Sequence, residues 1–390
     1  MTKEAGPEIL AYLHSFDPGG VERTALRLCA AWQAQGGRVK VLMGRETGVT
    51  GASAPALDYV TYSSGVVSTA PFETLWMIRC LWKRVRAKRP DVIFCAGNSY
   101  TVVAVALRLL LGSGCPPIVA KVSNTLDRRD MPRLGRPFYR LWLRIQARLI
   151  GRWVAIAPGL DGEIAAFMRV PSGRISTISD PAISAAEAAM LAASRAAAGQ
   201  RDEGRLFLAV GRLVRQKRFD ILVEAFARGA RPGDRLAIIG EGPWRRRLEA
   251  QAARLGIARQ VLLPGHIGDL LPWFARADAL VMSSDYEGLP AVLVEALAAG
   301  LPIISTRNSP GVTALLDGGL GHLVAPGDIA ALAAAIAADL PVQQAEAARA
   351  RVAAFQVEQA GPAWLDLLHR AARPVSGHVR QSTNEAVSEG

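Results

Sequence analysis

Two glutamates, Glu287 and Glu295, lie in a segment whose pattern predicts a ligand site. Glu287 belongs to a loop that follows the apolar run 279–282, which predicts a buried strand. Glu295 lies in 289–299, which predicts a helix with Pro290 near its first position. Open α/β sheets bind ligands at the carboxyl ends of their strands, and helix N-termini hold phosphate. Carboxylates placed there can bind hydroxyl groups, because ionised oxygens make strong hydrogen bonds.

A cationic loop, Gly211–Asp220, follows a second predicted strand and contains Arg212 and Lys217. It has neither the spacing of a Walker loop nor that of a Gly-x-Gly-x-x-Gly loop. Two cations on a loop that follows a strand suit an anionic ligand such as a phosphate group. The alternative is an ordinary basic loop, and the neighbouring Arg215 and Arg218 fit that alternative.

Strand and helix patterns alternate along both halves of the chain, which predicts an α/β fold with parallel, right-handed βαβ units. A helix is expected over 21–35, with glycines at its end. The predicted strands cover residues 8–13, 38–43, 91–95, 117–121, 206–210, 235–239, 260–263, 279–282 and 303–306.

The length of 390 residues favours two domains over one. We expect an N-terminal domain over 1–180 and a C-terminal domain over 205–355. An alanine-rich linker, 181–204, would join them. The last helix, within 356–373, is expected to cross back to the first domain. The polar tail 374–390 has no periodicity and predicts disorder.

The sequence around the two glutamates resembles that of retaining glycosyltransferases with the GT-B architecture. Among these enzymes it is most similar to glycosyltransferase family 4. The resemblance is carried by Glu-Gly-Leu-Pro at 287–290, by Glu-Ala-Leu-Ala-Ala-Gly-Leu-Pro-Ile-Ile at 295–304, and by the Gly-Arg…Lys segment that contains Arg212 and Lys217. It implies two Rossmann-like β/α/β domains that face each other across a cleft, the first binding the acceptor and the second a nucleotide-linked donor. It also implies that Arg212 and Lys217 hold the diphosphate of a sugar nucleotide. Two such cations would stabilise a departing diphosphate more strongly in the transition state than in the ground state, since negative charge grows as the bond breaks.

By the same resemblance, Glu287 would face the sugar ring and counter positive charge at the anomeric carbon, and Glu295 would bind the ribose hydroxyls. The N–H groups of Gly288, Leu289 and the residues that follow Pro290 would add dipole stabilisation of the diphosphate.

Two further loops match the family's donor site. Gly240 and Gly242 follow a predicted strand, and their small size would let the nucleotide approach the backbone. His266 follows another strand and would contact the base. A plain strand-to-helix turn and an ordinary loop histidine are the alternatives for these residues.

In the first domain, Gly19 and Gly20 match the family's glycine pair, where phosphate or acceptor would approach a helix N-terminus. Many members carry a donor-contacting histidine after a later strand of this domain, whereas this sequence has Ser123 and Asn124 there. Asparagine can bind a hydroxyl but cannot take a proton, so an acid/base group in this domain is in doubt. His14, at the end of the first strand, is interpreted as structural.

No Asp-x-Asp motif and no Cys/His cluster at metal-ligand spacing occurs in the sequence. We therefore expect no metal and no resident cofactor, with a nucleotide-diphosphate sugar as the donor substrate. Arg212 and Lys217 would replace the metal ion.

The net charge of +12 favours anionic partners, namely nucleotide-linked substrates or anionic lipid. We find no nucleic-acid-binding motif and expect no nucleic-acid partner. The four cysteines lie far apart, and neither a signal-peptide pattern nor a spanning apolar run is found, which predicts a cytoplasmic protein.

Two basic segments with aromatic residues, 75–89 and 138–153, fit interfacial helices on an anionic membrane. Ordinary amphipathic helices with a basic outer face are the alternative. These segments favour a peripheral membrane enzyme on the inner face of the cell membrane.

The sequence thus predicts a retaining, metal-independent glycosyltransferase that moves a sugar to a glycan or lipid-linked acceptor in cell-surface polysaccharide or glycolipid synthesis. A sugar-nucleotide epimerase of the same fold and a catalytically silent binding subunit are the alternatives.

Overall fold

A computed structural model describes residues 6–16, 19–45, 54–62, 72–128, 130–197 and 203–373. Several sequence-based expectations lie wholly or partly outside these residues. They are the disordered tail 374–390, residues 198–202 of the linker, and Asp17 and Pro18 of the loop before the first helix.

Seven described strands of the first domain form one parallel sheet in the order β3-β2-β1-β4-β5-β6-β7. The elements in chain order are β1 (Glu8–Leu13), α1 (Gly20–Ala34), β2 (Arg38–Met43), β3 (Asp58–Thr61), α2 (Glu73–Ala87), β4 (Val92–Cys95), α3 (Thr101–Leu111), β5 (Ile118–Val122), α4 (Arg136–Leu149), β6 (Arg152–Ala155), α5 (Leu160–Glu163) and β7 (Ile175–Thr177).

Six described strands of the second domain form another parallel sheet in the order β10-β9-β8-β11-β12-β13. The elements are α6 (Ala185–Ala197), β8 (Leu206–Val210), α7 (Phe219–Gly229), β9 (Arg235–Ile239), α8 (Arg245–Arg254), β10 (Val261–Gly265), α9 (Leu271–Arg276), β11 (Ala279–Met282), α10 (Ala291–Ala298), β12 (Ile303–Thr306), α11 (Pro310–Leu316), β13 (His322–Val324), α12 (Ile329–Ala337), α13 (Ala345–Ala353) and α14 (Val357–Ala372).

The central strands are buried on both faces because helices cover both sides of each sheet. This is why β1, β4 and β11 consist of residues that are almost all apolar. In the first domain, the ring of Trp32 on α1 packs edge-on against Phe94 of β4 at 5.1 Å between centroids. Phe94 in turn packs against Trp364 of α14 at 5.6 Å. The α/β fold with two Rossmann-like domains, expected from the sequence, is confirmed.

The last helix lies on the first domain although the chain reaches it from the second. Trp364 and Leu368 of α14 are fully buried in the first-domain core, and the Trp364 indole donates to the carbonyl of Ser179 at 3.1 Å. The segment expected as a linker contains a helix, α6, whose Leu191 is buried in the second-domain core. The chain therefore crosses between the domains twice.

In both sheets the strand order reverses between two central neighbours, β1 and β4 in the first and β8 and β11 in the second. Loops on either side of such a reversal separate and leave a crevice at the carboxyl ends of the strands. The loops after β8 and β11 contain Lys217 and Glu287, respectively. The topology alone thus brings the two sequence segments with the strongest chemical signal to one crevice.

Candidate active site between the two domains

Lys217 and Glu287 form a close ion pair, with Lys217 Nζ 2.6 Å from Glu287 Oε1. The side chain of Lys217 is 18% exposed and that of Glu287 is 10% exposed. A charge-assisted hydrogen bond of this length in a largely buried position fixes both side chains. The site therefore presents a cation and an anion side by side, one suited to phosphate and the other to hydroxyl groups or developing positive charge.

Backbone contacts hold the two loops that supply this pair. The Asp285 N–H donates to the carbonyl of Gln216 at 2.9 Å, and the Gln216 side-chain amide donates to the carbonyl of Tyr286 at 2.9 Å. The hydroxyl of Ser283 donates to the carbonyl of Lys217 at 2.8 Å. These bonds position Lys217 and Glu287 through the main chain.

Arg218 forms ion pairs within the second domain. Its guanidinium contacts Asp285 at 3.0 Å and Asp220 at 3.1 Å. Burial raises the pKa of Asp285, although the nearby Arg218 opposes this shift. Burial works against the charged form of Arg218, but its two carboxylate partners outweigh that effect and raise its pKa. Arg218 therefore fits the alternative of a basic loop residue.

Arg212 differs from its neighbours. Its side chain is exposed, and no hydrogen bond or ion pair with it is found within the described part of the chain. It follows Gly211, against which the Lys217 side chain packs: a Cβ on Gly211 would lie 3.1 Å from Lys217 Cε. Arg212 and Lys217 thus belong to the same short turn, with Arg212 available to a ligand.

Glu295 is the fifth residue of α10, and its Oε1 accepts from Arg23 Nη2 at 2.8 Å. Arg23 lies on α1 of the first domain, so this ion pair crosses the cleft. The helix that bears Glu295 begins at Ala291 and not at Leu289 as predicted, because Pro290 has an extended ψ of 122° and precedes the first turn.

The glycine loops of the second domain approach one another closely. Gly240 has φ 144°, and a Cβ there would lie 2.0 Å from the carbonyl oxygen of Gly211. A Cβ on Gly242 would lie 2.5 Å from the carbonyl oxygen of Leu213. Only glycine fits at these positions, which brings the ends of β8 and β9 together. His266 is exposed, directly after β10.

Gly288 allows the two domains to touch. A Cβ on Gly288 would lie 2.3 Å from the carbonyl oxygen of Ser123 and 3.0 Å from Asn124 Cα. The Thr125 N–H donates to the carbonyl of Glu287 at 3.0 Å. Asn124 is thereby brought beside the Glu287 loop, and its buried Oδ1 has no hydrogen-bond partner among the described residues. This amide is a hydroxyl-binding candidate.

Leu289 and Pro290, expected at the donor, have clear packing roles. The Leu289 side chain packs against the cores of both domains, and Pro290 is buried. At Leu289 the backbone N–H, and not the side chain, is the group that suits an anion.

In the first domain, α1 begins at Gly20, directly after Gly19. The Glu22 carboxylate folds back onto Gly19, where a Cβ would lie 1.9 Å from Glu22 Oε2, and Glu22 Oε1 accepts from the Tyr100 hydroxyl at 2.6 Å. A carboxylate here repels phosphate and favours hydroxyl groups. Of the two ligands expected at this glycine pair, an acceptor hydroxyl fits its electrostatics better than a phosphate.

His14 stacks on Tyr100 with ring centroids 4.7 Å apart, and its Nδ1 lies 3.9 Å from Glu73 Oε1. Burial lowers the pKa of His14, and the nearby Glu73 and Glu22 only partly oppose this shift. Burial, reinforced by Glu22, raises the pKa of Tyr100. His14 lies in this cluster at the carboxyl end of β1.

Several cross-domain contacts were not anticipated from the sequence. Among them is the ion pair of Arg23 with Glu295. Another is Arg128, whose guanidinium lies over the Tyr286 ring at 4.3 Å from the centroid and donates to its hydroxyl at 3.2 Å. The sequence could have indicated Arg23 as a site residue, because it stands three residues after Gly20 of the glycine pair. No sequence feature indicates that Arg128 contacts Tyr286.

Within the ranges that the structure describes, no group of three or more His, Cys, Asp or Glu side chains is arranged to hold a metal ion. In the same ranges, no helix combines the length and apolar character needed to cross a bilayer.

Two family models match this chain, one in each domain. Residues 192–351 match the family model "Glycosyl transferases group 1", and residues 18–181 match "Glycosyltransferase Family 4". Among curated proteins, the lipopolysaccharide core biosynthesis glycosyltransferase LpsE of Rhizobium meliloti is 35% identical over 147 residues, which are 38% of this chain and 43% of that protein. A glycogen synthase of Mycobacterium tuberculosis is 28% identical over 363 residues, 86% of each chain.

Among solved structures, Anabaena Alr3699/HepE in complex with UDP and glucose superposes with a TM-score of 0.70 at 18% identity. The superposition covers 93% of this chain and 99% of that one, and it shows the shared GT-B fold. The two family models cover both domains in turn, and together with the fold they show that this chain belongs to the group 1, family 4 glycosyltransferases.

Proposed function

We propose that this chain transfers a sugar from a nucleotide-diphosphate sugar to a glycan or lipid-linked acceptor, with retention of the anomeric configuration. The observation that carries the proposal is the Lys217–Glu287 pair, 2.6 Å apart in the crevice of the second sheet and facing the first domain. A cation beside a carboxylate suits the two charges that develop in glycosyl transfer, negative on the leaving diphosphate and positive at the anomeric carbon.

The proposed step breaks the bond between the anomeric carbon and the diphosphate oxygen. Lys217 and the exposed Arg212 stabilise the negative charge that grows on the leaving diphosphate, and the backbone N–H groups before α10 add to it. Glu287 stabilises positive charge at the anomeric carbon. Because Lys217 already neutralises Glu287 Oε1, the carboxylate serves as an electrostatic partner in this proposal and not as a nucleophile.

The new bond forms between the acceptor oxygen and the same face of the anomeric carbon. The acceptor proton passes to the leaving diphosphate oxygen, so no protein base is needed. Asn124, which with Ser123 stands where many family members carry a histidine, cannot take that proton but can hold a sugar hydroxyl.

We further propose that the reaction needs no metal ion. Lys217 and Arg212 supply fixed positive charge in the turn after β8, where a divalent cation would otherwise neutralise the diphosphate.

The donor class is supported by the Anabaena structure, which is a complex with UDP and glucose, and by Glu295, whose carboxylate suits ribose hydroxyls. The acceptor class is supported by LpsE, whose name places it in lipopolysaccharide core synthesis. The Glu22 carboxylate at Gly19 supports a hydroxyl-bearing acceptor in the first domain. We propose a role in cell-surface polysaccharide or glycolipid synthesis.

The proposed location is the cytoplasmic side of the membrane, as a peripheral protein. Four free, buried cysteines fit a reducing compartment, and the basic helices of the first domain fit an anionic surface.

The decisive experiment is a screen of nucleotide sugars by thermal shift, because a ligand that binds the folded state raises Tm by mass action. Turnover of each stabilising donor is then measured with and without acceptor glycans. A glycosyltransferase releases nucleoside diphosphate faster when its acceptor is present, whereas an epimerase converts the donor with no acceptor and no nucleotide release. Binding without any turnover across the acceptor panel would contradict the proposal and favour a silent binding subunit.

A further inference from the structure

The outer side of α4 exposes apolar side chains that the fold does not use. Phe138, Leu141 and Ile145 form a stripe along the helix and are 76%, 55% and 37% exposed. The opposite side of the same helix, with Leu143 and Ala147, is buried in the domain core. The inner side therefore accounts for the packing of α4, and the outer stripe is not required for it.

The adjacent helix α3 extends this surface. It packs beside α4, and its Val102, Leu109 and Leu110 are also exposed. Leu134, which is 87% exposed, lies just before the N-terminal end of α4. Exposed apolar residues thus occur on two helices that pack side by side, whereas single exposed apolar residues are common on any protein surface.

Cationic side chains border the patch. Arg140 and Arg148 are exposed on one flank of the α4 stripe, and Arg79, Lys83 and Arg86 are exposed on α2, which packs on the far side of α3. Glu73 is the only acidic residue in α2, α3 and α4, and it is paired with Arg45 at 2.6 Å.

We propose that the outer face of α3 and α4 is the surface by which this protein docks on an anionic lipid bilayer, with Phe138, Leu141 and Ile145 entering the headgroup region. An interfacial helix needs an apolar stripe at the acyl boundary and cations at the lipid phosphates, and α4 has both. A second copy of the chain is a poorer occupant, because an isologous contact would bring the two arginine rows together.

The helix α2, which is the other basic segment expected at a membrane, differs from α4 in the side chains that it exposes. The Trp76 indole of α2 donates to the carbonyl of Gly44 at 2.9 Å, and Arg79 and Arg86 lie over the rings of Trp76 and Trp82. Among the α2 helix residues, Leu75 is the exposed large apolar one. Trp153, which belonged to the second predicted segment, is buried in β6. Docking therefore depends on α4, and α2 contributes charge.

This inference deepens the proposed peripheral location and rests on it, but its test needs no donor and no turnover. Its failure would leave the proposed glycosyl transfer untouched.

The test is co-sedimentation of the full chain with phosphatidylcholine vesicles that contain or lack phosphatidylglycerol, at low and high salt. We expect wild type to bind the anionic vesicles and to bind them more weakly as salt rises. The double variant Phe138→Ser with Leu141→Ser should bind about tenfold more weakly or worse, at both salt concentrations. Its matched control, Met190→Ser with Val342→Ser, replaces two exposed apolar residues outside the patch and should bind as wild type does.

A charge variant, Arg140→Gln with Arg148→Gln, should weaken binding about tenfold at low salt and little at high salt. Equal thermal midpoints for all four proteins would establish that the fold is intact. The proposal is overturned if wild type stays in the supernatant with anionic vesicles at low salt, or if Phe138→Ser with Leu141→Ser binds as well as wild type. Sedimentation velocity without lipid provides the last arm: a dimer that this double variant disperses would assign the patch to a second copy.

Discussion

Arg23 of the first domain donates to Glu295 of the second, with Nη2 and Oε1 2.8 Å apart, although 272 residues separate them in the chain. Arg23 lies just after the loop that follows β1, and Glu295 lies on the helix that follows β11. The ion pair thus joins the central crevices of the two sheets. It also means that the residue expected to bind the ribose is oriented by a side chain of the opposite domain.

Arg23→Ala should raise the donor KM about three- to tenfold and leave kcat within about twofold of wild type. The ion pair holds Glu295 in one rotamer, and losing a hydrogen bond of this kind costs about 0.5–1.5 kcal/mol. Steady-state kinetics with the donor identified by thermal shift provides the measurement. Arg228→Ala, which breaks an exposed ion pair with Glu224 on α7, is the control and should leave both constants unchanged. A lower KM for Arg23→Ala would mean that Arg23 competes with the ribose instead of orienting its partner.

Glu287 and Glu295 should differ in kinetic effect. Glu287→Gln removes a charge that acts on the sugar at the transition state, so kcat should fall while the donor KM changes little. Glu295→Ala removes a contact made in both the ground and the transition state, so the donor KM should rise with kcat nearly unchanged. The same kinetic assay measures both variants. Swapped effects, or equal ones, would contradict the assignment of the two carboxylates.

Arg212→Ala and Lys217→Ala each remove a cation that is proposed to stabilise the leaving diphosphate. Each variant should lower kcat/KM by about 10²–10³, the scale of losing one preorganised charge. The two variants should differ in stability. Arg212 is exposed, so Arg212→Ala should keep the thermal midpoint of wild type. Lys217→Ala leaves Glu287 largely buried without its partner, at a cost of about 1–3 kcal/mol in the free energy of unfolding.

The double variant Lys217→Ala with Glu287→Ala isolates that cost, since it removes both charges. It should be more stable than Lys217→Ala alone while remaining inactive. A double variant no more stable than the single one would show that the ion pair does not support the fold.

Chelation should leave turnover unchanged. If Lys217 and Arg212 neutralise the diphosphate, then EDTA should not lower the initial rate, and added Mg²⁺ or Mn²⁺ should not raise it. Loss of activity in EDTA with recovery on adding Mg²⁺ would assign the diphosphate charge to a metal ion.

The sequence predicts the bounds of several strands well. Those of β1, β2, β8, β9, β11 and β12 are as expected, and those of β4 and β5 differ by one residue. Most of these strands are buried and largely apolar, which makes them recognisable in the sequence. Strands nearer the sheet edges were missed. β3 and β7 are only partly buried and lack such a run, and β6 begins Arg152-Trp153, which resembles the end of a basic helix.

The family resemblance assigned Lys217 and Glu287 to one donor site, and the structure brings them together because their loops follow neighbouring strands of one sheet. Residue types and spacing could not place Arg23 at Glu295 or Asn124 at Gly288, because those contacts depend on how the domains meet. The close approach of Gly288 to Ser123 is a matter of steric fit between two loops. Glycine is common in loops that no other domain approaches, so its presence at position 288 did not predict this contact.

Acidification should destabilise the protein through His14. Burial holds its pKa below the ordinary value of 6.5, so between the lowered pKa and 6.5 the unfolded state binds more protons than the folded state. Its contribution to stability is therefore complete above 6.5 and is lost as pH falls through the folded-state pKa. The groups that face the ring are Glu73 and Glu22, which favour its protonation, Arg45, which opposes it, and the stacked Tyr100. Since the net shift is downward, burial together with Arg45 outweighs the two carboxylates.

In wild type, the free energy of unfolding should decrease as pH falls below 6.5, and His14→Asn should make this decrease smaller. Urea denaturation at a series of pH values measures it. The control is His322→Asn, which changes an exposed histidine on β13 and should keep the wild-type slope. The raised pKa of Asp285 acts in the opposite sense, since its contribution is lost as pH rises above 3.8. Wild type and His14→Asn share Asp285, so the difference in slope between them reports on His14. An unchanged slope in His14→Asn would show that the Glu22 and Glu73 carboxylates cancel the effect of burial, so that the pKa of His14 is the same in the folded and unfolded states.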